Sequence, residues 1–129
     1  MTRESLSTGK AWEATVPFSV GVIASGRLLY TAGITARDAD GQVVGAGDMR
    51  AQVTQCFSNL GDILKVAGAQ WGDVVKFTIF TTDIARYHQE TRDIRRSFFV
   101  DKPAATLIEV SKLIQPQMLV EIEAVVCLP

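Results

Sequence analysis

The sequence predicts an α+β domain in which a single mixed β-sheet carries two helices packed on one face. Three observations predict it. Met49, Val53, Cys56, Phe57, Leu60, Ile63, Leu64 and Ala67 recur at steps of three and four, which places one apolar stripe along a helix. The segments Val74 to Thr82, Ala105 to Val110 and Met118 to Cys127 are instead rich in β-branched and aromatic residues with a period near two, the pattern of strands. The chain has 129 residues, 47% hydrophobic and 21% charged, which suits one globular domain over 1–129 with a core of its own.

Taken in order, residues 1–10 are polar and mixed and read as an arm or an edge strand. A weak strand is expected over 11–18. Val20 to Ile23 and Leu28 to Thr31 read as a hairpin joined through Ser25-Gly26, and Asp38 to Gly41 as a turn. Asp48 is placed to cap the first helix, because its carboxylate can accept from an unpaired amide of the first turn. Gly68 supplies the left-handed stop. Val74 to Thr82 follows as a long central strand, with Val75, Phe77 and Ile79 on one face. Asp83 then caps a second helix carrying Ile84, Tyr87, Thr91, Ile94 and Phe98, which ends before Lys102-Pro103 because proline cannot continue it. Ala105 to Val110 and Met118 to Cys127 flank the break at Gln115-Pro116-Gln117 and read as an antiparallel pair. With both helices on one side, the other sheet face needs a cover, since an apolar sheet face left open is a sticky patch.

Charge and composition narrow the function. The formal net charge is −1 and the isoelectric point about 5.8, which gives no drive toward phosphate backbones or anionic lipid, so neither nucleic acid nor membrane is an expected partner. Arg92, Arg95 and Arg96 are the local exception, and at helical spacing they read as a solvated stripe or a subunit contact. No apolar run has transmembrane length and no signal peptide is evident, so a cytoplasmic location is expected. Cys56 and Cys127 have neither metal nor redox spacing and read as buried thiols. The only histidine is His88, and the glycines lack a phosphate-cradling pattern, so neither a metal nor any other cofactor is expected. A Cys56–His88 dyad is disfavoured because Cys56 falls on the apolar stripe.

Glu121 and Glu123 lie two residues apart on a strand, so both carboxylates leave one face, about 7 Å apart. Such carboxylates line a solvated face or a wet interface. The stretch that holds them also carries a resemblance. Pro103-Ala-Ala-Thr, Glu109-Val110 and Val120-Glu-Ile-Glu-Ala-Val125, with Pro17-Phe18-Ser19, Tyr30-Thr-Ala-Gly33, Gly68 to Lys76 and Phe98-Phe99, are similar to the RidA/YjgF family of enamine and imine deaminases over nearly the whole chain. The resemblance implies a chorismate mutase-like fold, a homotrimer whose sheets form a central barrel, and three ligand clefts between neighbouring subunits. It implies a small-molecule substrate, water attack on an iminium carbon, and no cofactor.

Residue by residue, the resemblance places Glu121 as the acid/base and Phe18, Ala32, Gly33, Ala105 and Leu107 around the ligand. Three positions depart from the family's pattern. Ala105 replaces the Arg that grips a substrate carboxylate, Phe18 stands where a Tyr is frequent, and Ala32 where a Ser is frequent. The sequence therefore supports two readings: a divergent enzyme acting on an enamine, imine or related small unsaturated molecule without the usual carboxylate anchor, and a trimer of the same fold that binds a metabolite or partner without turning it over. Tyr87 or His88, at the start of the second helix, is a candidate polar contact to a neighbouring subunit's cleft, a surface histidine being the commoner case. A ribonuclease activity, sometimes associated with the family, sits badly with the acidic isoelectric point and the single histidine.

Overall fold

A computed structural model describes residues 2–129. In chain order its elements are β1 (Thr2–Leu6), β2 (Gly21–Ser25), β3 (Leu28–Tyr30), α1 (Met49–Ala67), β4 (Val74–Thr81), α2 (Ile84–Glu90), α3 (Arg92–Phe98), β5 (Ala104–Glu109) and β6 (Val120–Cys127), with 3-10 turns at Ala11–Thr15 and Trp71–Asp73. The α+β class holds. The two expected helices are three, however, and the strands form a four-stranded sheet ordered β3-β6-β4-β5 and a separate pair β1-β2.

The first helix forms as its sequence dictates. Asp48 accepts from the Ala51 amide, and Gly68 closes the C-terminus at φ 72° with its N–H on the Leu64 and Lys65 carbonyls. Its stripe Met49, Val53, Cys56, Phe57, Leu60 and Leu64 is buried against Phe77 and Ile79 of β4 and Val120, Ile122, Ala124 and Val126 of β6. The helices thus cover one sheet face. Phe57 stacks on Phe98 at 4.5 Å between ring centroids and Phe77 on Phe99 at 4.9 Å, which fixes the end of α3 over the sheet.

Four local expectations are corrected. Residues 11–15 form a 3-10 turn instead of a strand, and the chain that follows is tied down by Ser19, whose N–H donates to the Pro103 carbonyl at 3.0 Å and whose hydroxyl donates to the Lys102 carbonyl at 2.6 Å. The hairpin over 20–31 does not form. β2 pairs with β1 and β3 with β6, because the arm offers β2 a full ladder, anchored by the Arg3 guanidinium on the Val74 carbonyl at 3.1 Å and the Asp101 carbonyl at 2.8 Å. The second helix breaks at Thr91, whose hydroxyl donates to the Tyr87 carbonyl at 2.5 Å while its backbone leaves helical geometry. Thr and Ser side chains compete with the helix backbone in this way. β5 and β6 are not partners: β4 lies between them, parallel to β5 and antiparallel to β6. The α2–α3 crossover returns the chain to the start of the sheet, as a parallel neighbour of β4 requires.

Among the described residues no helix is long and apolar enough to cross a membrane. The sheet face away from the helices carries Thr78, Phe80, Thr106, Ile108, Glu121 and Glu123, and Ile108 is exposed there. Both cysteines are free and buried, and burial pushes the Cys56 thiol up to about 12, which removes it as a nucleophile. The dyad with His88 therefore has no chemical basis.

Candidate functional site

The residues that the sequence nominates, Ala32 apart, fall around two separate cavities. The first is a cavity of about 420 Å³ whose lining includes Phe18, Tyr87, His88, Ala105 and Leu107. β5 places Ala105 opposite Phe77 and Leu107 opposite Ile79, so both point to the helix-covered face. The Ser19 anchor draws Pro17-Phe18 across the start of β5. The connection that makes this possible is strained: Asp101 and Lys102 are non-glycine residues at φ 56° and 49°, a region L-residues seldom occupy.

The second cavity contains Glu121. Ile34 and Ile122 exchange backbone hydrogen bonds of 2.8 and 2.9 Å, and this lays Gly33 directly against the Glu121 side chain. A Cβ at Gly33 would stand 1.9 Å from Glu121 Oε2, so only glycine allows the carboxylate its position. Around them is a cavity of about 440 Å³ lined also by Ile34, Thr35, Arg37, Asn59, Ile63 and Ile114. Asn59 holds its rim by donating to the Thr35 carbonyl at 3.1 Å and the Arg37 carbonyl at 2.9 Å.

One chain does not bring the two halves together. Glu121 sits opposite Phe80, and Phe80 opposite Ile108, whereas Ile79 joins Leu107 and Ile122. Strand alternation therefore sends Glu121 out of the opposite sheet face from Ala105 and Leu107. Ala32 is exposed and lines neither cavity. Tyr87 is buried at 1% exposure, and its hydroxyl has no hydrogen-bond partner. Burial raises that phenol to about 12, so it stays protonated and able to donate. His88, exposed at the rim, is held below the usual imidazole range by the Arg95 charge, burial and Arg92.

The sequence reading missed how Arg92, Arg95 and Arg96 bear on the first cavity, which all three line. Their spacing put them on one helix side, and Tyr87 and His88 lie one and two turns before them. That shared side was the available signal. Among the described residues no group of three or more His, Cys, Asp or Glu is placed to hold a metal ion.

The chain thus folds as a small α+β domain with an open sheet face, a glycine-packed carboxylate and a separate cavity lined by apolar side chains and arginines. A family model described as Endoribonuclease L-PSP matches residues 8–128. A RutC family protein of Synechocystis is 33% identical over all of this chain and 99% of its own. The human 2-iminobutanoate/2-iminopropanoate deaminase is 32% identical over 97% of this chain and 90% of its own. Among solved structures, a Yersinia pestis protein of the conserved Rid family is 34% identical, covering 99% of this chain and all of its own at a TM-score of 0.88. The chain belongs to the RidA/YjgF/UK114 family.

Proposed function

We propose that this protein hydrolyses an enamine or imine to a carbonyl compound and ammonia in a cleft between neighbouring subunits of a homotrimer. The observation that carries this reading is the Glu121 carboxylate seated on the Cα of Gly33 at the rim of a cavity. In the reaction a water adds to the iminium carbon, Glu121 takes one water proton and gives it to nitrogen, and as the hydroxyl oxygen closes to the carbonyl the C–N bond breaks, ammonia leaves and the hydroxyl proton passes through Glu121 to solvent. Such proton transfer by a positioned carboxylate needs no cofactor.

The opposed directions of Glu121 and Ala105 support an assembled cleft, since a neighbour's Ala105 cavity can face the carboxylate that its own cannot. Symmetric association also covers the open sheet face. The activity in the human relative's name supports the same chemistry. An endoribonuclease reading, which the matching family model's description carries, gains nothing from a chain with one histidine and a net charge of −1. Ala105 and Phe18, apolar where the resemblance implies polar groups, favour a second reading, a trimer that binds a metabolite without converting it.

Ammonia release from freshly generated 2-iminopropanoate, native protein against Ala105→Arg, tests the choice. Gain of turnover in the variant supports a competent Glu121 site that serves another substrate. Inactivity of both, on this imine and on imines of larger apolar amino acids, supports the binding reading.

A further inference from the structure

We infer that Arg92, Arg95 and Arg96 form an oxyanion-binding site in the cavity beside Ala105, and that its ligand is a small carboxylate with an apolar body. The inference deepens the deaminase reading, and rests on it only for what happens at the reacting end of the ligand.

Three guanidiniums line this one cavity, and none has a carboxylate. The ion pairs among the described residues are Arg50–Asp93 and Arg86–Glu90, neither of which involves them. Arg95 is buried at 9% exposure, its guanidinium 5.3 Å from the Tyr87 ring centroid, and Nη1 donates only long bonds to the Tyr87 and His88 carbonyls at 3.4 and 3.3 Å. A guanidinium held this far from water is costly without an anion. Position on the helix accounts for part of the cluster, since Arg95 and Arg96 lie in the last turn of α3, where helix carbonyls favour cations. Arg92 is the first residue of α3, where the same dipole disfavours it.

Two further observations concern Tyr87 and His88, which line the same cavity. The Tyr87 hydroxyl is buried and unpartnered, a donor with nothing yet to donate to. The His88 imidazole is held below its usual range, first by the Arg95 charge, then by burial and Arg92. Phe18, Phe99, Ala105 and Leu107 also line the cavity and give it a wall without charge. A guanidinium fork pairs with a planar carboxylate in bidentate geometry, and the wall takes hydrocarbon. The space beside Ala105 admits a larger apolar body than an arginine there would leave room for.

Calorimetric titration of the assembled native protein with benzoate, its neutral isostere benzamide, and inorganic phosphate tests the site. Benzoate is expected to bind at least about tenfold more tightly than benzamide. The double variant Arg92→Gln/Arg96→Gln, both positions exposed, is expected to lose about tenfold in benzoate affinity with its melting temperature and oligomeric mass unchanged. Arg95→Lys keeps the charge but not the fork and is expected to fall between. Equal affinity for benzoate and benzamide, no binding of benzoate, or phosphate bound as tightly as benzoate overturns the inference, as does a double variant whose benzoate affinity is native. Binding of this pattern without turnover of any imine would leave the site standing and remove the deaminase reading. Turnover with no carboxylate preference would do the reverse.

Discussion

Replacing Gly33 by alanine separates the position of Glu121 from its presence. The added Cβ would lie 1.9 Å from Glu121 Oε2, 2.8 Å from Cδ and 3.2 Å from Cγ, so the carboxylate oxygen must retreat by on the order of 1.5 Å to reach ordinary contact distance. The backbone itself accepts alanine, since Gly33 is not among the glycines at positive φ. Moving a partly buried side chain off its preferred rotamer costs about 1 kcal/mol, a few degrees of melting temperature for a domain of this size. Misplacing a reacting group by about 1 Å costs a rate near 10²-fold. Gly33→Ala is therefore expected to keep its fold and assembly while ammonia release from in situ generated imines of apolar amino acids falls about 10²-fold, approaching Glu121→Gln. A Gly33→Ala protein within twofold of native turnover would refute the role given to this carboxylate, because the clash leaves it no native position.

Other outcomes follow from the packing and the charges. Asp48→Ala removes the cap on the Ala51 amide and is expected to cost about 1 kcal/mol in urea unfolding. Phe57→Ala empties a fully buried position that touches the Trp71, Phe77 and Phe98 rings, and an equilibrium denaturation should show a loss of about 3–5 kcal/mol. The Thr8 hydroxyl and amide, with the Ser7 hydroxyl, hold the Glu13 carboxyl down to about 2. A carboxyl lowered on folding stabilises above its unfolded value of about 4.3 and loses that contribution as pH falls toward the folded value. Thermal melts across that acid range should therefore converge for native protein and Glu13→Gln, with the native protein more stable at neutral pH.

Much of the fold was legible because its signals are local. The Asp48 and Gly68 caps, the stripe between them and the alternation of β4 each follow from residues within one element. Partner choice among strands was not. Nothing within Ala105–Val110 states that β4 will come between it and β6, because that order is set by the α2–α3 crossover. Thr91 looked like one more residue on an apolar face, and its hydroxyl broke the helix. At the site, Glu121, Gly33, Ala105 and Leu107 were all nominated from the sequence, but their division between opposite sheet faces depends on register across three strands. The arginines of α3 were visible as a cluster and read as a solvated stripe or a subunit contact, since only the packed structure sets them around one cavity with Phe18 and Ala105.

The central claim is that a working site joins the Glu121 half of one subunit to the Ala105 half of another, and subunit complementation tests it most directly. Glu121→Gln and Ala105→Trp, the second filling the space beside Phe18, are each expected to lack imine hydrolysis alone. Co-expressed with separate tags and purified as mixed trimers, they should recover roughly a third of native ammonia release, since in every mixed cyclic trimer one cleft of the three receives an intact half from each chain. Mixed trimers of correct mass with no recovered activity, from a native protein that is active, would contradict the shared cleft and place the chemistry within a single chain.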